Sequence, residues 1–171
     1  MKNKKTLYLV QAAMIAALYV VLTMIAHAFG LDSGAIQIRL SEMLSVLPFF
    51  TPAAIPGLFV GCFLSNFLTG ACLLDIVLGS FATLIGAVGA YLVRKNKWLA
   101  PVPPILANTI IVPFVLLYAY GIQPIWLSFI TVGAGEILSC GVLGLLLLNL
   151  LNKYRYCLLY TSPSPRDTER S

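Results

Sequence analysis

The side chains that could do chemistry in this sequence are few and widely spaced. Upstream of residue 157 the acids are Asp32, Glu42, Asp75 and Glu136, and His27 is the sole histidine of the chain. No HExxH, GxSxG or GxxxxGK[ST] pattern occurs, and Cys62, Cys72 and Cys140 form no CxxC pair. Hydrolytic chemistry, zinc binding and ATP hydrolysis therefore have no residue set to carry them. The sequence offers no catalytic residue, no metal ligand and no cofactor site.

What these residues can do is recognise a polar molecule. Glu136 lies eleven residues beyond Ile125, roughly 16 Å along a helix at ~1.5 Å per residue, with Gly133, Gly135 and Gly141 leaving room around it. A carboxylate there can accept N–H groups of a small molecule or be a structural, hydrogen-bonded Glu. Arg39 and Glu42 share a helix face by their i, i+3 spacing, as a ligand clamp or as an interfacial ion pair. Asp75 meets a ligand or complements a helix N-terminus. The amides of Asn66 and Asn108 either contact ligand or join helices, and His27 reads as an interface residue.

These groups sit in a chain built for lipid. It has 171 residues, of which 60% are hydrophobic and only 10% charged, with a mean hydropathy of +0.93 and a formal net charge of +5. A soluble domain averages roughly 25% charged residues, so too few polar groups are present to cover a water-facing surface. Disorder is excluded by the same apolar content. A soluble enzyme, a nucleic-acid binder and a disulfide-stapled domain fall away, leaving an integral membrane protein in a lipid bilayer. The three cysteines read as small buried hydrophobes.

The segment from Cys157 to Asp167, CLLYTSPSPRD, matches the in-frame translation of a transposase-type sequencing adapter. Residues 157–171 are therefore expected to be non-native, the natural C-terminus to be lost with them, and residues 1–156 to form the one membrane domain. Removing the tail leaves the net charge unchanged.

A membrane helix needs about 20 apolar residues. Leu7–Phe29 makes one, too long in its apolar stretch for a signal peptide. Residues 30–42 read as a polar loop. The uncharged run Met43–Leu74, broken by Pro48, Pro52, Pro56 and Gly57, is either one kinked helix or two short ones. Further spans are Ile76–Val93, Pro101–Tyr120 and Ile125–Leu151. The positive-inside rule chooses two short helices, because only then do Arg94, Lys95 and Lys97 share a side with Lys2, Lys4, Lys5, Lys153 and Arg155. The expectation is an all-α membrane protein with six transmembrane helices and both termini cytoplasmic. Trp126, Tyr118 and Tyr120 fall at the outer boundary and Trp98 at the inner one. Short, Pro-interrupted spans can mark a binding site in transporters, and the polar groups collect toward the outer side. Ala12, Ala13, Ala16 and Ala17 form a small-residue stripe on the first helix, suited to close helix approach, most often within one chain.

The alanine stripe, Gln37, Arg39, Ser41 and Glu42 entering the second helix, and the segment Pro56–Asn66 are similar in order and spacing to the QueT family. The Asp75-x-x-x-Gly79 start of the fourth helix strengthens the likeness. That family comprises substrate-binding (S) subunits of energy-coupling-factor transporters assigned to queuosine precursors, and the resemblance covers residues 1–155. It implies an S-component-like bundle in the bacterial cytoplasmic membrane that captures a small-molecule substrate. It also implies docking through Ala12, Ala13, Ala16 and Ala17 on a transmembrane (T) subunit, with two cytoplasmic ATPase subunits supplying power. For a 7-deazaguanine-type base, Glu136 would accept the paired N–H groups, and Arg39 or Asn108 would donate to the carbonyl. Glu42 or Asp75 would meet an aminomethyl arm, and Trp126 or Tyr118 would stack on the ring. An S subunit for another vitamin and a purely structural membrane protein remain the alternatives, with a membrane enzyme weakest.

Overall fold

A computed structural model of the chain describes residues 2–31 and 39–160. Asp32, Gln37 and Ile38 of the polar loop, and the tail from Thr161 onward, lie outside the described residues. Among the described residues the protein is all helix. We label the helices in chain order: α1 Lys2–Ala28, α2 Leu40–Phe49, α3 Ala54–Leu68, α4 Asp75–Leu92, α5 Val102–Tyr120 and α6, which runs unbroken from Ile125. Two of them change pitch. Helix α4 opens with a π-helical turn, Asp75–Gly79, and α6 carries another at Ile137–Leu143 before continuing as Gly144–Tyr160.

Helices α1, α4, α5 and α6 are long and apolar enough to cross a membrane. The other two are shorter. Helix α2 is a ten-residue 3-10 helix, spanning about 20 Å at ~2.0 Å per residue. Helix α3 has fifteen residues, about 22 Å at ~1.5 Å per residue. Each falls short of the ~30 Å hydrocarbon core. The run 43–74 thus contains two short helices, as charge placement requires, and α2 starts three residues earlier than its apolar run. Glu42, read from sequence as the last residue of the polar loop that enters the second helix, lies inside α2 and is 1% exposed. Its neighbours from α1 and α2 cover it, a pairing that lies 23 residues apart in sequence.

The helices alternate in direction. At one end the Tyr8 hydroxyl donates to the Pro52 carbonyl and Thr51 to the Gln11 side chain, while Lys97 donates to Asn149. Lys5, Arg94, Lys95, Lys97 and Lys153 all belong to this end, and no acid among the described residues joins them. At the other end Asn66 meets the start of α4, and the Cys72 N–H donates to the Tyr120 hydroxyl. Helix α5 stops here because Gly121 takes a left-handed conformation (φ 65°) and its N–H caps the Leu117 carbonyl.

Close backbone approach holds the bundle. Gly57 and Gly61, four apart on α3, lie against Ala12 and Ala16 of α1. A Cβ on Gly57 would sit 2.7 Å from the Ala12 carbonyl oxygen, and one on Gly61 2.7 Å from the Tyr19 Cβ. Between α4 and α5, Gly86 and Gly89 fit against Pro104 and Pro103 in the same way. Small residues let helices touch where lipid gives no hydrophobic drive between them. Ile15, Leu44, Leu58 and Cys62 fill the core beside this seam, and Val46, Cys140 and Leu148 form a second core between α2 and α6.

Candidate functional site

A cavity of about 480 Å³ opens at the end of the bundle away from the basic cluster. One face of α1 forms a wall of it, through Tyr19, Thr23 and Ala26, whose i, i+4, i+7 spacing aligns them. Arg39 and Ser41 enter from the start of α2, Asn66 and Thr69 from the end of α3, and Asp75 from the first turn of α4. Tyr120 closes the side given by α5, and His27 stands at the rim. Every contributing element is at the same end because the helices alternate in direction.

The polar centre of the cavity is Arg39 with Asp75. The guanidinium lies 3.9 Å from Asp75 Oδ1, a long separation that leaves this buried oxygen without a hydrogen-bond donor. Burial opposes the charge on Arg39, but Asp75, with smaller contributions from Tyr19, Cys62 and Glu42, more than offsets it and raises its pKa above the ordinary value. Arg39 is thus cationic throughout the physiological range. Asn66 fixes the geometry from below: its Nδ2 donates to the Asp75 main-chain carbonyl at 3.3 Å. Gly79, one turn along α4, leaves the space these side chains occupy, since a Cβ there would lie 3.2 Å from both Asn66 Nδ2 and Asp75 Oδ1.

Beneath the cavity the chemistry changes. The Tyr19 hydroxyl donates to Glu42 Oε1, and Ser45 Oγ donates to Glu42 Oε2 at 2.8 Å. Glu136 is within electrostatic reach of Glu42, Asn108 and Arg39. Asn108 lies beside Glu136, yet Glu136 Oε2, Asn108 Nδ2, Thr109 Oγ1 and Ser139 Oγ are buried atoms that no well-formed hydrogen bond reaches.

Of the seven residues singled out from sequence for a ligand, Arg39, Asn66 and Asp75 line the cavity. Glu42 touches it through Tyr19, while Asn108 and Glu136 lie deeper. Trp126 is 61% exposed on the first turn of α6, apart from these six, and Tyr118 likewise faces outward. The i, i+3 spacing does not make Arg39 and Glu42 partners of choice: Arg39 reaches Asp75, and Glu42 is held by two hydroxyls. The alanine stripe divides. Ala12 and Ala16 are buried against α3, and Ala13 and Ala17 are exposed.

Sequence reasoning passed over Tyr19 and Tyr120. For Tyr19 a signal exists, since it is a phenol at the middle of an otherwise apolar helix, where its hydroxyl needs a partner. Tyr120 reads as an interfacial aromatic until the α3–α4 turn is folded over it.

Comparison with known proteins gives the site its context. The chain is 41% identical over 85 residues to a queuosine precursor transporter QueT of Lactococcus lactis subsp. cremoris (strain MG1363). That alignment covers 50% of this chain and 50% of the relative, so the chain spans about half the length of the curated relative it matches. No solved structure matches. The family model for the QueT transporter matches residues 9–153, which takes in the cavity, four helices whole and most of α1 and α6. By that match over most of its length, this chain belongs to the QueT transporter family.

Proposed function

We propose that the protein captures a queuosine precursor, a 7-deazaguanine-type base, as the substrate-binding subunit of an energy-coupling-factor transporter. The observation that carries this reading is the 480 Å³ cavity with a charged pair at its centre, in a bundle whose outer surface is covered by residues such as Leu9, Met14, Phe81 and Ile130. Small-molecule sites occupy roughly 300–1,000 Å³ and fix orientation with a few polar groups. Arg39 offers donors to a ring carbonyl, Asp75 an acceptor for an amine or ring N–H, and Tyr19 and Tyr120 aromatic faces.

Residues 1–156 form the transporting unit, with residues 157–171 outside it. All six helices enter the bacterial cytoplasmic membrane and both termini are cytoplasmic, because the basic end then faces the cytoplasm and the cavity faces out. In this reading ATP hydrolysis belongs to two partner ATPases coupled through a transmembrane T subunit, in keeping with a sequence that has no phosphate-binding loop motif. That partner meets α1 on the side that carries Ala13 and Ala17.

Equilibrium binding to the detergent-purified chain tests the reading, with a panel of queuosine precursors against guanine, riboflavin and thiamine. Saturable binding of a precursor without any partner supports it. Tight binding of riboflavin or thiamine instead makes the chain a capture subunit for another micronutrient. A folded protein that binds none of them returns the structural alternative.

A further inference from the structure

Asp75 is the acid that lines the cavity, and its main chain is held on both sides while its carboxylate is left open. The Asp75 N–H donates to Cys72 Sγ at 3.4 Å, and the Asp75 carbonyl accepts from Asn66 Nδ2 at 3.3 Å. Cys72 thus acts in the manner of a capping residue at the start of α4, since its own carbonyl accepts the Ile76 N–H at 3.0 Å. The turn that carries Cys72 leaves α3 through Gly70, whose φ of 73° suits a residue without a side chain. The Ala71 N–H then donates back to the Asn66 carbonyl at 3.0 Å. A side chain of α5 ties this turn to the opposite wall: the Cys72 N–H donates to the Tyr120 hydroxyl at 3.2 Å, 48 residues away in sequence. Gly70, Ala71, Asp75 and Tyr120 line the cavity. Asp75 Oδ1 is buried there without a hydrogen-bond donor, 3.9 Å from Arg39.

We infer that Tyr120 is a positioning residue for Asp75, acting through Cys72: its hydroxyl holds the α3–α4 turn, and the turn presents the Asp75 carboxylate to the ligand. The inference rests on the capture function proposed above, and it gives the hydroxyl a role separate from any contact the Tyr120 ring makes. A carboxylate on a turn binds only from the fraction of molecules that have the turn in place, and apparent affinity scales with that fraction. Holding the turn before the ligand arrives removes an ordering cost from binding. A thiol sulfur is a weak acceptor, so the contact from Asp75 to Cys72 is a weak hold by itself, and the bond from Cys72 to Tyr120 reinforces it from outside the turn.

Three measurements on the full chain in detergent test this. In the first, affinity for the best precursor is compared in the wild type, Tyr120→Phe, Asp75→Asn and the double variant. Tyr120→Phe keeps the ring and removes the acceptor, and is expected to weaken binding about fivefold, the loss of one neutral hydrogen bond. The double variant should bind no more weakly than Asp75→Asn alone, because the hydroxyl acts through that carboxylate. Unchanged affinity in Tyr120→Phe, or additive losses in the double variant, overturns the positioning role. In the second, Cys72→Ser keeps a side-chain acceptor and should retain affinity, while Cys72→Ala should lose about as much as Tyr120→Phe. Equal affinities in these two variants remove Cys72 from the chain of contacts. The third needs no ligand: the labelling rate of native Cys72 by a small methanethiosulfonate is read by peptide mass spectrometry, with buried Cys62 and Cys140 as internal controls. Tyr120→Phe should raise labelling at Cys72 about fivefold and leave the controls unchanged. An unchanged rate means that Tyr120 does not hold the turn. A chain that binds no precursor defeats the capture function, and the labelling then decides by itself whether Tyr120 holds the turn that carries Asp75.

Discussion

The α1–α3 seam and the α5–α6 seam solve opposite problems within one bundle. Along α1–α3, glycines and alanines bring two backbones into contact, with a Cβ on Gly57 or Gly61 having no room. Along α5–α6 the approach is less severe, with a Cβ on Gly133 3.3 Å from the Thr109 methyl, and Asn108, Thr109, Glu136 and Ser139 keep polar atoms without a well-formed hydrogen bond. The first seam is stabilised by closeness; the second gives up stability that a well-paired or apolar interface would have. Buried unsatisfied groups cost ~1–3 kcal/mol each, and a role in the proposed ligand capture would give that cost a reason. The cavity is lined by residues of α1 to α5 and their connections, with Tyr19 contributed by the tight seam.

This contrast can be broken or sharpened by substitution. The largest effect belongs to Gly61→Leu, which drives a branched side chain into Tyr19 and the Ala16 backbone. Overpacking costs typically about 1–3 kcal/mol and occasionally more, and here no flexible neighbour yields, so thermal unfolding in detergent should show the largest loss of the set. An unchanged melting temperature would mean that the seam is not tight. Next comes Glu136→Leu, with the opposite sign. Replacing an unpaired buried carboxyl by an apolar side chain of similar size should stabilise the protein by ~1–3 kcal/mol while removing precursor binding. Destabilisation would show that Glu136 is a structural partner and erase the difference between the seams.

Smaller changes refine the picture. Ser45→Ala removes one of two donors to buried Glu42 and should cost ~1 kcal/mol, read by the same unfolding assay. Asp75→Asn should alter stability by under ~1 kcal/mol, since its partner Arg39 is long-range and partly exposed. Its precursor affinity should nonetheless fall about tenfold, the loss of one charged hydrogen bond. The smallest effect on folding is expected for Ala13→Leu and Ala17→Leu. Both positions face outward, so unfolding should be unchanged within about 0.5 kcal/mol while co-purification with the proposed transmembrane subunit is lost. Retained co-purification would move the docking surface elsewhere.

Much of the architecture is legible in the sequence, for a physical reason. Long apolar runs read as membrane helices, and four of the helices are long and apolar enough to cross a bilayer, while the placement of Arg94, Lys95 and Lys97 pointed to two short helices in 43–74, which the fold contains, because charge placement is a global constraint. The start of α2 was not legible. Leu40–Phe49 is apolar enough in either register, and only contacts from α1, 23 residues away, pull Glu42 inside and let Tyr19 and Ser45 pay for its burial. The alanine stripe shows the same limit. Four small residues advertise an interface, but which pair is covered depends on where Gly57 and Gly61 arrive.

The sequence by itself determined that this protein is a helical membrane bundle with a basic end and a handful of polar residues whose burial demands an explanation. Composition and charge suffice for that, since lipid tolerates little else. Only the tertiary structure decided which polar residues meet. It set Arg39 against Asp75 rather than Glu42, left Trp126 outside, joined Tyr19 to Glu42, and left Glu136 Oε2 and Asn108 Nδ2 without a well-formed hydrogen bond. These outcomes rest on how alternating helices align at one end of the bundle, and spacing along a single helix carries no information about the neighbour that will face it.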